Sequence, residues 1–248
     1  MRDYKKLENF LCDFIEKYCK ESGANGVILG LSGGLDSALV ACLCKKALKD
    51  NVFALLMPTN SSNEANLKDA LSLCKDLNLK HKLINIQSIL DSFILSCDDV
   101  DRIRMGNLAA RIRMCLLYDY SALLSYLVIG TSNKSELQLG YGTIYGDLAH
   151  AFNPIAQLYK SEIFSFASFV GVPDIFIKKA PSADLYDGQS DELDLGFSYE
   201  EIDEVLMAIE NNKELSYFDK NLVDMVKARM KKNAFKLKMP RIADINEI

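Results

Sequence analysis

Residues 30–37 read GLSGGLDS, with three glycines, two serines and one aspartate in a short run. The adjacent Gly33 and Gly34 let the backbone approach a ligand and take positive φ. The apolar Val27–Leu29 ahead of the run suits a strand, and ALVACLCKKAL (Ala38–Leu48) after it suits a helix. A turn that opens into a helix presents N–H groups and the positive dipole end, which together make an anion site. Asp36 is harder to place there. A carboxylate aimed at a phosphate repels it unless something positive lies between them.

The elements that must position this loop follow from the pattern of apolar runs. Val27–Leu31, Val52–Met57, Lys82–Ile86 and Tyr126–Gly130 read as strands, separated by helical patterns at 36–49, 63–77 and 104–124. Such alternation predicts βαβ units and an α/β fold, a parallel sheet with helices on both faces. Ligands in these sheets sit beyond the carboxyl ends of the strands, where strand order reverses. The segments after the strands include SGGLDS, PTNSSNEAN and TSNKSE, all polar, which fits one active edge. The second half is less regular. LGYGTIYGD (Leu139–Asp147) reads as a loop, and the acidic APSADLYDGQSDELDLG (Ala180–Gly196) as either a surface loop or a lid over substrate at 183–195. Ser198 and Glu201 predict a capping box for a helix from Tyr199 to about Glu210.

The 248 residues, 49% hydrophobic and 25% charged, suffice for one large domain over 1–248, with no linker in the pattern. No apolar run reaches the roughly 18 residues of a membrane helix. The first twenty residues read as an amphipathic helix with charges throughout rather than a signal peptide, so a cytoplasmic protein is expected. Its apolar side (Leu7, Phe10, Leu11, Phe14, Ile15) serves either a subunit contact or the chain's own core. A net charge of −5 argues against broad nucleic-acid binding, so an anionic ligand needs a local basic site. The seven cysteines have no CxxC spacing and read as reduced, buried thiols. Two histidines, His81 and His150, are too few for a histidine-rich metal centre.

Two common phosphate loops are excluded: no lysine follows Gly34 as a Walker loop requires, and the glycines do not read GxGxxG. SGGLDS resembles instead the SGGxDS pyrophosphate loop of the ATP pyrophosphatase superfamily, which cleaves ATP between its α- and β-phosphates. In that setting Ser32, Ser37 and the N–H groups around Gly33 and Gly34 form a nest for pyrophosphate oxygens. Asp36 becomes a ligand of Mg2+, the missing positive charge. A partner carboxylate is expected from Glu136, which follows the fourth strand in GTSNKSE on the same sheet edge. Thr131 opens that segment.

MGNLAARIRM (Met105–Met114), then GTSNKSE, then PSADLYDGQSDELDLG resemble in order and spacing the segments of NAD synthetases. The resemblance runs from the phosphate loop to AFKLKMP (Ala234–Pro240). It implies a Rossmann-like, adenine nucleotide alpha hydrolase-like sheet. It implies ATP contacts from Gly30, Leu31, Ser32, Gly33, Gly34, Leu35, Asp36, Ser37, Thr131, Lys160 and Ser182, with Asp36 and Lys160 catalytic. Mg2+ then falls to Asp36 and Glu136, and deamido-NAD to Arg111, whose fixed fork of donors suits an anionic dinucleotide. Arg113, on the same helix, and Lys236 are weaker candidates. Lys160 at a helix start is electrostatically unfavourable unless an anion sits close.

The implied reaction adenylates the nicotinate carboxylate of deamido-NAD, releasing pyrophosphate, and ammonia then displaces AMP to give NAD. Asp147 is a candidate to receive the ammonium. Direct use of ammonia is expected because the synthetase-like stretch leaves little sequence for an amidase domain. The resemblance also implies a homodimer with substrate bound across the interface. Two departures stand out: GDLAHAF where the family often has GDGGxD, and Phe235–Lys236 where it often has histidine–lysine. The competing readings are another adenylating enzyme such as a tRNA thiolase, which asks for an RNA-binding domain and catalytic cysteines, and a nucleotide-binding module without chemistry.

Overall fold

The computed structural model describes residues 2–179, 191–243 and 245. Asp3 opens the first helix, its carboxylate accepting the N–H groups of Lys5 and Lys6 at 3.1 Å. This helix, α1 (Tyr4–Glu21), buries Leu11, Ile15 and Cys19 against the chain's own core and leaves Phe10 exposed. Strands and helices then alternate: β1 (Gly26–Gly30), α2 (Leu35–Leu48), β2 (Val52–Leu56), α3 (Glu64–Asp76), β3 (Lys80–Leu83), α4 (Gln87–Ile94), α5 (Arg102–Leu124) and β4 (Tyr126–Val128). The strands form a parallel sheet in the order β3-β2-β1-β4.

Alternation within the strands builds two core layers. Val27 and Leu29 of β1, with Ala54 and Leu56 of β2, face α1, α2 and α3. Ile28, Leu55 and Val128 point the other way, against α4 and α5. Period-2 side-chain direction in a sheet covered on both faces explains why both sets are apolar. Truncating a fully buried member such as Ile28 to alanine costs about 2–5 kcal/mol. The expected helices on both faces are therefore present.

The third strand lies two to three residues earlier than its apolar pattern predicts. Lys80, His81 and Lys82 are exposed on the edge of the sheet, where charge discourages pairing with another chain. The apolar Ile84 and Ile86 follow the strand and still donate to Leu56 O and Pro58 O, both at 2.9 Å. Helix α4 has no counterpart among the expected elements, which leave 87–103 unassigned between the third strand and the helix expected at 104–124.

Beyond β4 the regular elements among the described residues are helices: α6 (Lys134–Leu139), α7 (Lys160–Val170), α8 (Asp174–Ile177), α9 (Asp191–Leu195), α10 (Tyr199–Glu210), α11 (Lys220–Asn233) and a 3-10 turn at Ala234–Leu237. Helix α7 joins the layer of α1 and α2. Helices α6, α10 and α11 enclose a separate apolar cluster around Tyr199, Ile202 and Val226. The capping box of α10 has both arms, Ser198 N–H to Glu201 at 3.0 Å and Glu201 N–H to Ser198 Oγ at 3.3 Å. β1 lies between β2 and β4, so the chain reverses direction across the sheet between β1 and β4. The loops leaving those two strands flank that reversal.

Candidate active site

The phosphate-type loop is shaped by its own hydroxyls. Ser32 Oγ and Ser37 Oγ lie 3.1 Å apart, Ser32 Oγ accepts the Gly34 N–H at 3.2 Å, and Ser37 Oγ donates to Gly34 O at 3.1 Å. Gly33 has φ +87°, and a Cβ there would lie 2.1 Å from Asn66 O, so only glycine fits. Gly34 is the N-cap of α2 with no side-chain cap. The opening N–H groups of a helix have no intrahelical acceptor, so this end presents donors and a positive dipole to the space beyond β1.

Asp36 stands in the first turn of α2, where the helix dipole favours its charge. Its Oδ2 pairs with Lys160 Nζ, and its Oδ1 accepts Asn133 Nδ2 at 3.1 Å. Lys160 is the first residue of α7 and almost fully buried. The anion that its position demands is supplied by Asp36. Burial works against the Lys160 ammonium, but the charges of Asp36 and Glu136 outweigh it and hold the group firmly protonated.

Glu136 arrives through the local fold of α6. Asn133 caps that helix by accepting the Glu136 N–H at 3.0 Å, and Glu136 returns the contact to the Asn133 N–H at 3.2 Å. The capping box thus turns two residues of one tight turn toward Asp36 (Asn133 by contact, Glu136 by charge). Burial first, and the Asp36 charge second, push the Glu136 carboxyl well above the usual range. Asp191 at the start of α9 is also buried and adds to that repulsion. It accepts the hydroxyls of Tyr141 at 3.1 Å and Tyr199 at 3.4 Å.

These groups open onto a cavity of about 940 Å3. Its wall includes Gly30, Leu31, Ser32, Gly34, Leu35, Asp36, Ser37, Thr131, Glu136 and Lys160, so most of the residues expected from the sequence converge. Gly33 stands behind the wall, against Asn66. Arg111 does not line this cavity, whereas Arg113 does, with its Nε donating to Met57 O at 2.9 Å. Ser182 and positions 183–190 of the expected lid lie outside the described residues. Positions 191–195 are helix α9.

Cations gather along the same wall in a chain of net negative charge. Arg102, Lys179, Arg229, Lys232 and Lys236 join Lys160 and Arg113 there, providing the local basic site that an anionic ligand requires. Lys236 donates to Gly140 O and Gly142 O, both at 2.8 Å, and so braces the glycine-tyrosine loop. Asp147 lines the cavity and accepts the Thr143 N–H at 2.9 Å, and burial around its carboxyl pushes its pKa up.

Sequence reasoning missed Lys179, Asp191 and Asn133. Lys179 donates to Gly33 O at 3.1 Å and Asn66 Oδ1 at 2.9 Å and pairs with Asp69, tying the loop to α3. No local pattern marks such a lysine. Asn133 was legible, because Asn-x-x-Glu after a strand is a capping-box signature. His150 packs on Gly130, where a Cβ would meet its ring at 2.3 Å.

Known proteins match this architecture along almost its whole length. An NH(3)-dependent NAD(+) synthetase of Campylobacter jejuni (strain 81-176) is 64% identical over 245 residues, covering 98% of this chain and all of that one. A solved NH3-dependent NAD synthetase from Campylobacter jejuni, in complex with the nitrate ion, superposes with a TM-score of 0.88 at 58% identity, over 98% of this chain and 100% of that one. NMN synthetase from Francisella tularensis gives a TM-score of 0.91 at 31% identity, over 99% and 100% of the two chains. The NAD synthase family matches residues 7–240, from the first helix to beyond the 3-10 turn. With the loop, the capping box and the buried lysine set around one cavity, the chain belongs to the NAD synthase family.

Proposed function

We propose that this chain converts deamido-NAD to NAD with ammonia and ATP, releasing AMP and pyrophosphate, and does so in the cytoplasm as one synthetase-like domain. The observation that carries the reading is the meeting of Asp36, Asn133, Glu136 and Lys160 at the end of the phosphate-type loop. The relatives named for use of NH3, covered from end to end, support ammonia as the nitrogen source.

In the first half-reaction a nicotinate oxygen attacks the α-phosphorus of ATP and the bond to the β-phosphate bridge breaks. The α2 N–H groups and the serines of the loop hold the departing pyrophosphate, and Lys160 offsets negative charge growing at the α-phosphate. In the second, the nitrogen of ammonia attacks the acyl carbon and the bond to AMP breaks. Ammonium sheds its proton before attack, and Asp147 in the cavity wall is the candidate acceptor. Positioning and charge neutralisation carry most of the barrier reduction.

Asp36 and Glu136 would hold Mg2+. Both are oxygen donors of the kind Mg2+ prefers, and its other positions would be left to phosphate oxygens and water. The strongly raised Glu136 carboxyl fits, because a dication would relieve the repulsion from Asp36. When bound, Mg2+ supplies charge neutralisation at the phosphates. Arg111, off this cavity, would reach the dinucleotide in a homodimer. The exposed Ile103, Tyr118 and Leu123 of α5 support an interface on that helix.

The test supplies Mg2+, ATP and ammonium or glutamine, with deamido-NAD or nicotinate mononucleotide as acceptor, and quantifies amide product, AMP and pyrophosphate. Equimolar NAD, AMP and pyrophosphate with ammonium is expected. Preference for the mononucleotide would favour a second reading suggested by the Francisella neighbour. Pyrophosphate release without amide would move the search to another acceptor, and no ATP turnover would favour a binding module.

A further inference from the structure

Lys160 is held in place by more than its ion pair. The N-cap of α7 is Tyr159, which contributes no side-chain cap, so the first N–H groups of that helix need acceptors from elsewhere. They find them in two other helices. The Lys160 N–H donates to Ser135 Oγ of α6 at 2.9 Å, and the Ser161 N–H donates to Asp203 Oδ2 of α10 at 2.9 Å. Ser135 donates its own proton to Asp203 Oδ1, which closes the relay. Asp203 and Ser135 are fully buried.

One carboxylate therefore clamps three helices at the point where two of them deliver functional groups. Helix α6 brings Asn133 and Glu136 within two residues of Ser135, and α7 begins with Lys160 itself. One turn before Asp203 on the same helix, the buried Tyr199 ring lies beneath Lys160 Nζ, 5.8 Å from its centroid. Helix α10 thus supports Lys160 from both its backbone and its side chain. A buried network with every member satisfied rigidifies what it joins.

We propose that Asp203 is a positioning residue for the reaction, fixing Lys160 against Asp36 through Ser135 and the start of α7. This rests on the assignment of Lys160 to ATP. Asp203 touches no substrate, and its effect passes through the atoms it orients. Asp203→Asn places an amide donor where Ser135 or Ser161 already donates, so one arm of the clamp is lost.

The experiment measures steady-state kinetics and thermal unfolding for Asp203→Asn, Lys160→Met and the double variant. Asp203→Asn is expected to lower kcat about ten- to a hundredfold, with KM for deamido-NAD within about twofold of the parent. In the Lys160→Met background Asp203→Asn should add little, because both changes remove one interaction. Additive losses, or a melting temperature that falls while kcat of the folded enzyme holds, would overturn the positioning role. Full activity in Lys160→Met would instead remove the assignment beneath it. Should Asp203→Asn fail to fold, Ser135→Ala and Ser135→Thr carry the same test. Threonine, which keeps the hydroxyl, should recover much of the kcat that alanine loses, and equal kcat in the two would refute the relay.

Discussion

Lys160 Nζ donates to Asp36 Oδ2, joining residues 124 positions apart, and both side chains are largely withdrawn from solvent. The pair answers two local conflicts at once. A lysine opening a helix faces an unfavourable dipole, and a carboxylate beside an anion site repels the ligand. Each charge offsets the other.

Asp36→Asn should abolish most NAD formation while the chain still folds. The buried ammonium of Lys160 loses its partner, but the repulsion between Asp36 and Glu136 disappears as well. The net destabilisation should therefore fall below the roughly 3–5 kcal/mol of an uncompensated buried charge. Parallel measurement of turnover and chemical denaturation checks both halves, and unchanged turnover would remove Asp36 from the metal and the chemistry.

Glu136→Gln keeps the size and the capping contact but removes charge. Half-maximal activity should then need about tenfold more Mg2+ or higher, with the melting temperature near or above that of the parent, because a disfavoured buried carboxylate is gone. A Mg2+ titration of activity decides it, and an unshifted midpoint would argue against a metal role. Chelation of Mg2+ in the parent should stop turnover reversibly.

Gly33→Ala and Gly34→Ala separate backbone strain from simple bulk. At Gly33 an alanine must adopt φ +87° and meet Asn66 O at 2.1 Å. The left-handed conformation alone costs about 1–2 kcal/mol and the clash adds to it. At Gly34 the nearest atom is Ser32 Oγ at 3.3 Å, so the loss of stability should be smaller. Denaturation midpoints test the order, and KM for ATP should rise in Gly33→Ala as the loop shifts.

His150 introduces a pH dependence of stability. Burial lowers its pKa below the ordinary value of 6.5, outweighing its own backbone contact and the Asp147 charge. The unfolded chain therefore binds the proton more readily. The stability from neutral, half-buried His150 is present above pH 6.5 and lost as pH falls through the lowered value. The parent's melting temperature should drop more steeply with acidification below that point than that of His150→Gln. Parallel curves would show that the imidazole does not titrate differently on folding.

The anion loop, the alternation of strand and helix patterns and the α10 cap were written locally in the chain. Gly33–Gly34 between an apolar run and a helical pattern, the alternation of strand and helix patterns, and Ser198 three residues before Glu201 can each be read from near neighbours, whereas the pairing of the strands joins positions as distant as Gly26 and Tyr126. That locality made Asp36, Thr131 and Glu136 legible as groups at one sheet edge. The edge strand misled because its apolar residues, Ile84 and Ile86, continue past the paired stretch into the core.

What the tertiary structure alone decided was which distant side chains meet. Lys179 reaches Gly33 and Asn66, Asp191 turns inward beneath Tyr141 and Tyr199, and Arg113 rather than Arg111 faces this cavity. Asp203 clamps α6 to α7 only because three helices pack at one corner. Residue types and spacing determine backbone conformation through short-range sterics and hydrogen bonds. Burial, which forces these charged groups to find partners, is a property of the packed whole.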